Sequence, residues 1–213
     1  MKDNVFFVSG IDTNVGKSYA TGYLAKTWNE QGVRTITQKF IQTGNVGMSE
    51  DIELHRKIMG TGLLPEDESG LTMPEIFTYP CSPHLAAEID HRPIDFDKIE
   101  KATRQLSEAY DAVLLEGAGG LMVPLTRDLL TIDYVAQKNY PLIFVTSGKL
   151  GSINHTLLSL EAVTRRGIRL HTVAYNLFPE EDDDIIRRDT EAYIRDLLAK
   201  EYPETHFVIV PKL

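Results

Sequence analysis

Hydrophobic and polar residues follow two different spacings along the chain. Short apolar runs, typical of buried β-strands, are separated by longer stretches in which apolar residues recur at helical spacing. The predicted strands are residues 4–10, 35–41, 112–117, 141–147, 171–178 and 206–211. The predicted helices are residues 17–32, 49–60, 95–110, 131–139, 152–167 and about 184–200. Continuous apolar strands that alternate with helices indicate an α/β fold with a mostly parallel sheet covered on both faces.

Local residue types refine where these elements begin. Ser49 and Thr131 are predicted as helix N-caps, because their hydroxyl groups can accept a hydrogen bond from a free backbone N–H of the first turn. Residues 60–94 contain several prolines and glycines, so we expect an irregular connection there.

Composition and charge limit the class of protein. The chain has 213 residues, of which 42% are hydrophobic and 25% charged, and this favours a single domain, residues 1–213, with a sizeable core. A net charge of −9 argues against nucleic-acid binding. The single cysteine, Cys81, excludes an intramolecular disulfide. Because there is no signal peptide and no apolar stretch long enough to span a bilayer, we expect a cytoplasmic protein without a membrane partner.

Residues 9–18, SGIDTNVGKS, place a glycine-containing turn between the first predicted strand and the first predicted helix. In that context such a turn is typical of a phosphate-binding loop, because backbone N–H groups at a helix N-terminus bind anions. Lys17 would reach the β- and γ-phosphates, and Ser18 would bind magnesium. Five residues separate Gly10 from Gly16, one more than the usual motif has, so an ordinary turn is the alternative.

Three more polar residues lie near the ends of predicted strands or helices. Glu116 ends an apolar strand and precedes a glycine-rich turn, where it could bind a metal ion or cap the turn. Lys39 lies in a strand that should bury its residues, so its ammonium group either reaches the surface or meets an anion such as a transferring phosphoryl group. Asp51 lies in the first turn of a helix, where a negative charge suits the helix dipole.

Seven segments form an ordered set of motifs over essentially the whole chain: GIDTNVGKS, KFIQTG, EDIELHR, CSPHLAAEIDHRPI, LLEGAGGLMVPL, KLGSINH and the terminal VPKL. This set resembles the dethiobiotin synthetase family, whose phosphate loop is itself one residue longer than the standard loop. The resemblance therefore accounts for the spacing between Gly10 and Gly16. It implies a P-loop NTPase-like fold.

The resemblance also implies an ATP-dependent ligase that forms the ureido ring of dethiobiotin in biotin synthesis. In such enzymes one amine of 7,8-diaminononanoate takes up carbon dioxide to form a carbamate. The carbamate oxygen attacks the γ-phosphate of ATP, and the second amine then closes the ring and expels phosphate. ATP and Mg²⁺ are the implied cofactors, and a homodimer with its active site at the subunit interface is the implied assembly.

Residue roles are implied position by position. Lys39, Lys17 and Thr13 are the implied catalytic residues, and Lys39 is the main stabiliser of the carbamate and the γ-phosphate. The implied magnesium ligands are Ser18, Asp51 and Glu116. The implied nucleotide-binding residues are Asn14, Val15, Gly16, Lys17, Ser18, Tyr19, Asp51, Glu116, Gly119, Asn176, Pro211, Lys212 and Leu213. The implied substrate-binding residues are Thr13, Lys39, Thr43, Gly120, Gly151, Ser152, Ile153, Asn154 and Tyr193.

Residues 151–154 open a predicted helix, so their N–H groups would form a second anion site. The resemblance implies that this site binds the far carboxylate of the substrate in the neighbouring subunit. Three positions depart from the family pattern: Phe40 replaces a proline, Asn14 stands where some members have glutamate, and Asn176 is shifted by one position. His55 and His155 have no partner at metal-ligand spacing and are interpreted as polar helix residues.

Three other classes of protein are alternatives to a dethiobiotin synthetase. A partition or septum-positioning ATPase would carry a signature lysine early in the phosphate loop, where residues 11–13 are Ile-Asp-Thr. A small-molecule kinase would usually have an arginine-rich lid, and the adjacent arginines at 165–166 and 187–188 lie in no glycine-rich flap. In a plain ATP-binding module, Lys39 and Thr43 would have no functional role.

Overall fold

A parallel β-sheet forms the centre of the protein in the computed structural model, which describes residues 3–178 and 183–212. The strands are β1 (Val5–Gly10), β2 (Thr35–Lys39), β3 (Gln42–Thr43), β4 (Ile76–Phe77), β5 (Ala112–Glu116), β6 (Leu142–Ser147), β7 (Leu170–Asn176) and β8 (His206–Val210). Six of them form the main sheet in the order β2-β5-β1-β6-β7-β8, and β3 pairs with β4 in a separate small sheet. All six of these strand pairs are parallel, so the predicted fold class is confirmed.

Helices cover the sheet. They are α1 (Lys17–Glu30), α2 (Glu50–Met59), α3 (Pro65–Glu68), α4 (Pro83–Ile89), α5 (Phe96–Ala109), α6 (Thr131–Lys138), α7 (Ser152–Arg165) and α8 (Asp184–Glu201). The six predicted strands and the six predicted helices all occur, with ends within two residues of their predicted positions. None of the helices within the described ranges has the length and hydropathy that a membrane span requires.

Successive residues of the central strands enter two different hydrophobic clusters. Phe7 and Leu115 belong to the larger cluster, which also contains residues of α5, α6, α7 and α8. Val8 and Leu114 belong to the smaller cluster, which lies under α1. This alternation follows from the two-residue period of a β-strand, and it buries both faces of the sheet.

The prediction of an irregular connection over residues 60–94 was wrong in part, since this segment contains the short elements α3, β4 and α4. Pro65 and Pro83 each occupy the first position of a helix. Proline is well tolerated there, because its missing N–H would have no partner within the helix and its φ angle is already helical. Two of the five prolines that indicated an irregular segment therefore begin short helices.

One of the two predicted N-caps is confirmed. The Ser49 side chain accepts a hydrogen bond from the backbone N–H of Ile52. Thr131 is instead the first residue of α6, and Leu130 is its N-cap. The Thr131 hydroxyl donates to the carbonyl oxygen of Val123 at 2.9 Å, so it holds the preceding loop rather than capping the helix.

The strand order brings the carboxyl ends of the strands to one edge of the sheet. Lys39 at the end of β2 pairs in register with Glu116 at the end of β5. Ser147 and Asn176 end β6 and β7 side by side. This is the edge at which open parallel sheets bind ligands, and Lys39, Glu116 and Asn176 of the predicted site lie there.

Candidate active site

The predicted phosphate loop, residues 10–18, connects β1 to α1 through a short 3-10 turn. Gly16 has a left-handed backbone conformation with a φ angle of +83°, and a Cβ atom there would lie 2.1 Å from Asn176 Nδ2. The amide of Asn176 donates a hydrogen bond to the Val15 carbonyl oxygen at 2.9 Å. Only glycine therefore fits at position 16, and Asn176 supports the loop from β7.

Lys17 lies buried beneath this loop. Its Nζ donates hydrogen bonds to the carbonyl oxygens of Asp12 at 2.9 Å and Thr13 at 3.2 Å. Burial lowers the pKa of Lys17 to about 8, against the opposing charge of Glu116. A bound phosphate group would supply the negative charge that this lysine lacks among its nearest partners.

Four side chains meet in front of the loop: Ser18, Lys39, Asp51 and Glu116, called here the charge cluster. Lys39 Nζ lies 2.5 Å from Asp51 Oδ2 and 2.8 Å from Glu116 Oε1. Ser18 Oγ lies 2.7 Å from Asp51 Oδ1 and 2.8 Å from Glu116 Oε1. The cluster joins the ends of β2 and β5 to the starts of α1 and α2.

Two members of the charge cluster, Lys39 and Glu116, stay ionised despite burial. Burial alone would lower the pKa of Lys39, but the charges of Glu116 and Asp51 outweigh it and raise that pKa. Burial alone would raise the pKa of Glu116, but Lys39 and His55 hold it well below its usual range. Lys39 is therefore a fixed positive charge at neutral pH, and it faces two carboxylates.

The donor atoms of the cluster fit magnesium. Mg²⁺ prefers oxygen ligands and is usually bound by one or two carboxylates together with phosphate oxygens and water. Ser18, Asp51 and Glu116 supply one hydroxyl and two carboxylates within hydrogen-bonding distance of one another. No three or more His, Cys, Asp or Glu side chains are grouped as a metal site within residues 3–178 and 183–212. Phosphate and water would therefore complete the coordination.

Two cavities adjoin the phosphate loop. The first, of about 550 Å³, has a lining that includes Lys39, Thr43, Cys81, Glu116 and Gly119. The second, of about 610 Å³, has a lining that includes Tyr19, Ser147, Ser152, His155 and Phe178. Both share Thr13, Asn14, Lys17, Ser18 and Asp51. The loop thus forms a common wall between spaces for two ligands.

The glycine-rich turn after Glu116 packs against the phosphate loop. Gly119 has a φ angle of +69°, and a Cβ atom there would lie 2.8 Å from Val123 Cγ2 and 3.7 Å from Thr13 Oγ1. A Cβ atom at Gly120 would lie 3.3 Å from the carbonyl oxygen of Gly10. These small residues let the two loops approach closely at the wall of the first cavity.

The predicted second anion site begins α7. Gly151 is its N-cap in a left-handed conformation, and Ser152 Oγ lies 3.0 Å from Ser147 Oγ. Ser152 is buried and lines the second cavity, whereas Ile153 is half-buried and Asn154 is exposed. The structure therefore brings Ser152, and not Ile153 or Asn154, to the phosphate loop of its own chain.

The remaining predicted residues lie farther from the charge cluster or outside the residues that the structure describes. Tyr193 is 45% exposed on α8 and is not part of the lining of either cavity. Pro211 and Lys212 follow β8, whose last residue pairs with Asn176, so they lie at the ligand-binding edge of the sheet. Leu213 lies outside the described residues. Roles for these residues stay predictions.

Phe40, where the family pattern has proline, leaves the backbone after Lys39 in regular pairing. Its N–H donates to the Glu116 carbonyl oxygen at 2.8 Å, a hydrogen bond that proline cannot make. Its buried ring packs against Tyr134 at 4.7 Å and Phe7 at 5.6 Å between centroids. The replacement extends the contact between β2 and β5 and fills the core.

The buried position of His55 beside Glu116 was not predicted from the sequence. This residue is completely buried, and its Nε2 lies 2.9 Å from Glu116 Oε2. The only sequence signal was its position four residues after Asp51, which places both side chains on one face of α2. His155, by contrast, is exposed and lines the second cavity.

Comparisons of sequence and structure define the class of protein. The family model described as an AAA domain matches residues 4–213. The structure is similar to chloroplast FtsY of Physcomitrella patens (TM-score 0.55, 15% identity, all of this chain and 60% of that one). It is also similar to the MinC:MinD cell division complex of Aquifex aeolicus (TM-score 0.55, 12% identity, 99% of this chain and 82% of that one). The protein is thus a P-loop NTPase in fold.

Closer relatives identify the family. The chain is 52% identical to the ATP-dependent dethiobiotin synthetase of Pasteurella multocida over 97% of this chain and 96% of that one. It is 57% identical to the enzyme of Haemophilus influenzae over 86% of this chain and 96% of that one. It is 52% identical to the enzyme of Chlorobaculum tepidum over 90% of this chain and 80% of that one. The chain belongs to the ATP-dependent dethiobiotin synthetase family, and the resemblance found in the sequence is confirmed.

The charge cluster predicts how stability depends on Lys39 and magnesium. In Lys39→Met the buried Glu116 loses its cationic partner, so we expect the free energy of unfolding in EDTA to fall by about 3–5 kcal/mol. Millimolar Mg²⁺ should restore part of this loss, because the ion neutralises the same carboxylates. Urea unfolding with and without Mg²⁺ measures both effects.

The exposed Lys26 on α1 provides the matched control. Lys26→Met should change the free energy of unfolding by no more than about 0.5 kcal/mol. A Lys39→Met protein as stable as the wild type in EDTA, or one that does not respond to Mg²⁺, would contradict this account of the cluster.

Proposed function

We propose that the protein, acting as a single domain, catalyses the ATP- and Mg²⁺-dependent closure of the ureido ring of dethiobiotin from 7,8-diaminononanoate and carbon dioxide. Membership of the ATP-dependent dethiobiotin synthetase family supports this reaction. The observation that carries it is the position of Lys39. This cationic side chain lies in the first cavity, beside the loop that the two cavities share.

The reaction proceeds by three bond-forming steps. One amine of the substrate adds to carbon dioxide and loses a proton, giving a carbamate. A carbamate oxygen attacks the γ-phosphorus of ATP and ADP leaves, which gives a carbamic–phosphoric anhydride. The second amine attacks the carbonyl carbon of the anhydride and loses a proton, and phosphate leaves as the cyclic urea forms. Such a sequence needs placement and charge neutralisation more than it needs covalent chemistry from the protein.

The second cavity takes the nucleotide. Backbone N–H groups of residues 13–18 at the start of α1 bind the phosphates, and Lys17 binds the β- and γ-phosphates. Ser18, Asp51 and Glu116 would hold Mg²⁺, which neutralises phosphate charge as ADP leaves. Tyr19 and Phe178, whose ring centroids lie 6.1 Å apart, provide apolar surface toward the base.

The base end of the nucleotide lies near the ends of β7 and β8. Pro211, Lys212 and Leu213 shape that end of the site in this proposal. Asn176 contributes there chiefly by support of the loop, because its Nδ2 donates to Val15 and its Oδ1 accepts from the Phe178 N–H. Asn14 and Gly16 approach the phosphates through their backbone.

The first cavity takes the diamine. Thr13 lies on the wall that the two cavities share, and Thr43 also lines the first cavity. The carboxylate partners of Lys39 raise its pKa, so Lys39 acts as a fixed cation and not as a proton acceptor. It stabilises the negative charge of the carbamate and of the γ-phosphoryl group as the new P–O bond forms.

The active site is proposed to be shared between two subunits of a homodimer. The N–H groups of residues 151–154 at the start of α7 would bind the far carboxylate of the partner's substrate, together with Tyr193. Exposed apolar residues on and beside α7 support an interface there. Leu150 is 74% exposed and Leu158 is 60% exposed, and a second copy of the chain would remove them from water.

The proposed reaction is tested with purified protein, 7,8-diaminononanoate, bicarbonate, ATP and Mg²⁺. We expect ADP formation to depend on the diamine, and mass spectrometry to identify dethiobiotin as the product. No ADP above the level without the diamine would contradict the proposal.

Two variants sharpen the same assay. Lys39→Ala should reduce turnover by about 100-fold or more, as expected when a group that stabilises transition-state charge is removed, and change nucleotide affinity much less. Lys26→Ala should behave as the wild type, because Lys26 is exposed on α1. Equal losses of turnover and nucleotide affinity in Lys39→Ala would remove this residue from the proposed catalytic role.

Shared active sites are tested by mixing two inactive variants. Lys17→Ala disables the phosphate loop, and Asn154→Asp places a negative charge at the exposed start of α7, where it would repel the substrate carboxylate. In an equal mixture, random exchange of subunits gives about one quarter intact sites, all of them in heterodimers. We therefore expect activity to recover to about one quarter of the wild-type value.

The control for the mixing experiment is Asn154→Ser, which adds no charge and should retain activity by itself. The unmixed variants should stay inactive after the same incubation. If the mixture stays inactive although subunits exchange, each site lies within a single chain and the shared site is excluded.

A further inference from the structure

Behind the charge cluster, on the side away from both cavities, lies a buried histidine. We propose that His55 is a positioning residue that fixes the orientation of the Glu116 carboxylate, so that only one carboxylate oxygen faces the metal and the substrates. This proposal rests on the proposed function, since it concerns Glu116 as a magnesium ligand. His55 is absent from the lining of both cavities in the described chain, so it acts through Glu116.

The ring of His55 is held on both sides. Its Nε2 lies 2.9 Å from Glu116 Oε2, and its Nδ1 lies 3.0 Å from Thr37 Oγ1. His55, Thr37 and Glu116 are all completely buried. Water therefore does not compete for these hydrogen bonds, and each polar atom depends on its protein partner.

The donors and acceptors of this group fix the direction of two of its hydrogen bonds. The carboxylate of Glu116 only accepts hydrogen bonds, so Nε2 of His55 must donate. The guanidinium of Arg56 only donates, and its NH1 group gives a hydrogen bond to Thr37 Oγ1 at 2.8 Å. Thr37 Oγ1 thus accepts from Arg56 on one side and lies 3.0 Å from His55 Nδ1 on the other. Arg56 is itself fixed by two hydrogen bonds of 2.8 Å to Asp67.

The two oxygens of Glu116 consequently have separate partners. Oε2 accepts from His55, whereas Oε1 lies 2.8 Å from both Lys39 Nζ and Ser18 Oγ. Rotation of the carboxylate would break the hydrogen bond from His55. Oε1 is therefore presented to the charge cluster, which favours coordination of Mg²⁺ by a single oxygen of Glu116.

Helix packing places His55 at this point. A Cβ atom at Gly22 of α1 would lie 3.3 Å from His55 Cα and 3.1 Å from Ile58 Cβ, so the absence of a side chain lets α2 approach α1 closely. Ser18 lies one turn before Gly22 on α1, and Asp51 lies one turn before His55 on α2. The same helix pair thus carries two magnesium ligands and the residue that orients the third.

The test measures metal binding in two variants that differ in one hydrogen-bond donor. His55→Leu removes the donor, whereas His55→Gln retains an N–H donor at a similar distance from the backbone. Mn²⁺ is titrated into the protein with a non-hydrolysable ATP analogue, and free Mn²⁺ is measured by electron paramagnetic resonance. We expect His55→Leu to bind Mn²⁺ about 10–100-fold more weakly, as for other residues that orient metal ligands, and His55→Gln to recover most of the loss.

A purely structural role for His55 predicts a different result. Wild-type Mn²⁺ affinity in His55→Leu would overturn the proposal, and so would equal losses in the two variants. If His55→Leu does not fold, Thr37→Val and Thr37→Ser replace this pair, because only serine keeps the hydroxyl that orients Nδ1. Thr37→Val should then weaken Mn²⁺ binding and Thr37→Ser should not, and equal affinity in these two variants would likewise overturn the proposal.

The Mn²⁺ measurement contains no diamine, so it separates the two proposals. Suppose that His55→Leu loses Mn²⁺ affinity and the wild type forms no ADP that depends on the diamine. The positioning role of His55 would then be supported, and the proposed reaction would be rejected. Diamine-dependent ADP formation by the wild type together with unchanged Mn²⁺ affinity in His55→Leu would reject the positioning role alone.

Discussion

The ion pair between Lys39 and Glu116 is the interaction on which the rest of the site depends. The two residues end neighbouring parallel strands in register, and their charged atoms lie 2.8 Å apart in a nearly dry environment. A buried charge without a partner is strongly unfavourable, so each residue requires the other. Asp51 adds a second carboxylate at 2.5 Å. The cluster therefore places a fixed cation beside oxygen atoms that would hold a metal ion in the proposed reaction.

The surrounding fold holds this pair in place. Strand order brings β2 and β5 together, and the loop after β1 supplies Ser18 and Lys17 from the adjacent strand. On the far side, Gly22 allows α2 to pack close enough for His55 to reach Glu116. The placement of each side chain thus follows from a regular element and not from a long flexible loop, which suits a reaction that depends on positioning.

Much of the fold could be predicted from the sequence, because strand and helix patterns are local and recur with fixed periods. The phosphate loop and Glu116 could also be predicted, since each follows an apolar strand. The adjacency of Lys39 and Glu116 needed the order of the strands, which no local pattern contains. His55 was missed because its partner Glu116 is 61 residues away. Thr131 was misassigned because its hydroxyl has a tertiary partner, Val123.

We propose that Lys39 and the magnesium ligands together form one prearranged site for a phosphoryl group. A crystal structure with Mn²⁺ and a non-hydrolysable ATP analogue tests it most directly, since anomalous scattering locates the metal. We expect the ion about 2.1 Å from Ser18 Oγ and from carboxylate oxygens of Asp51 and Glu116, with Lys39 Nζ moved toward the γ-phosphate. A metal bound elsewhere, or Lys39 still on both carboxylates with metal bound, would contradict the account.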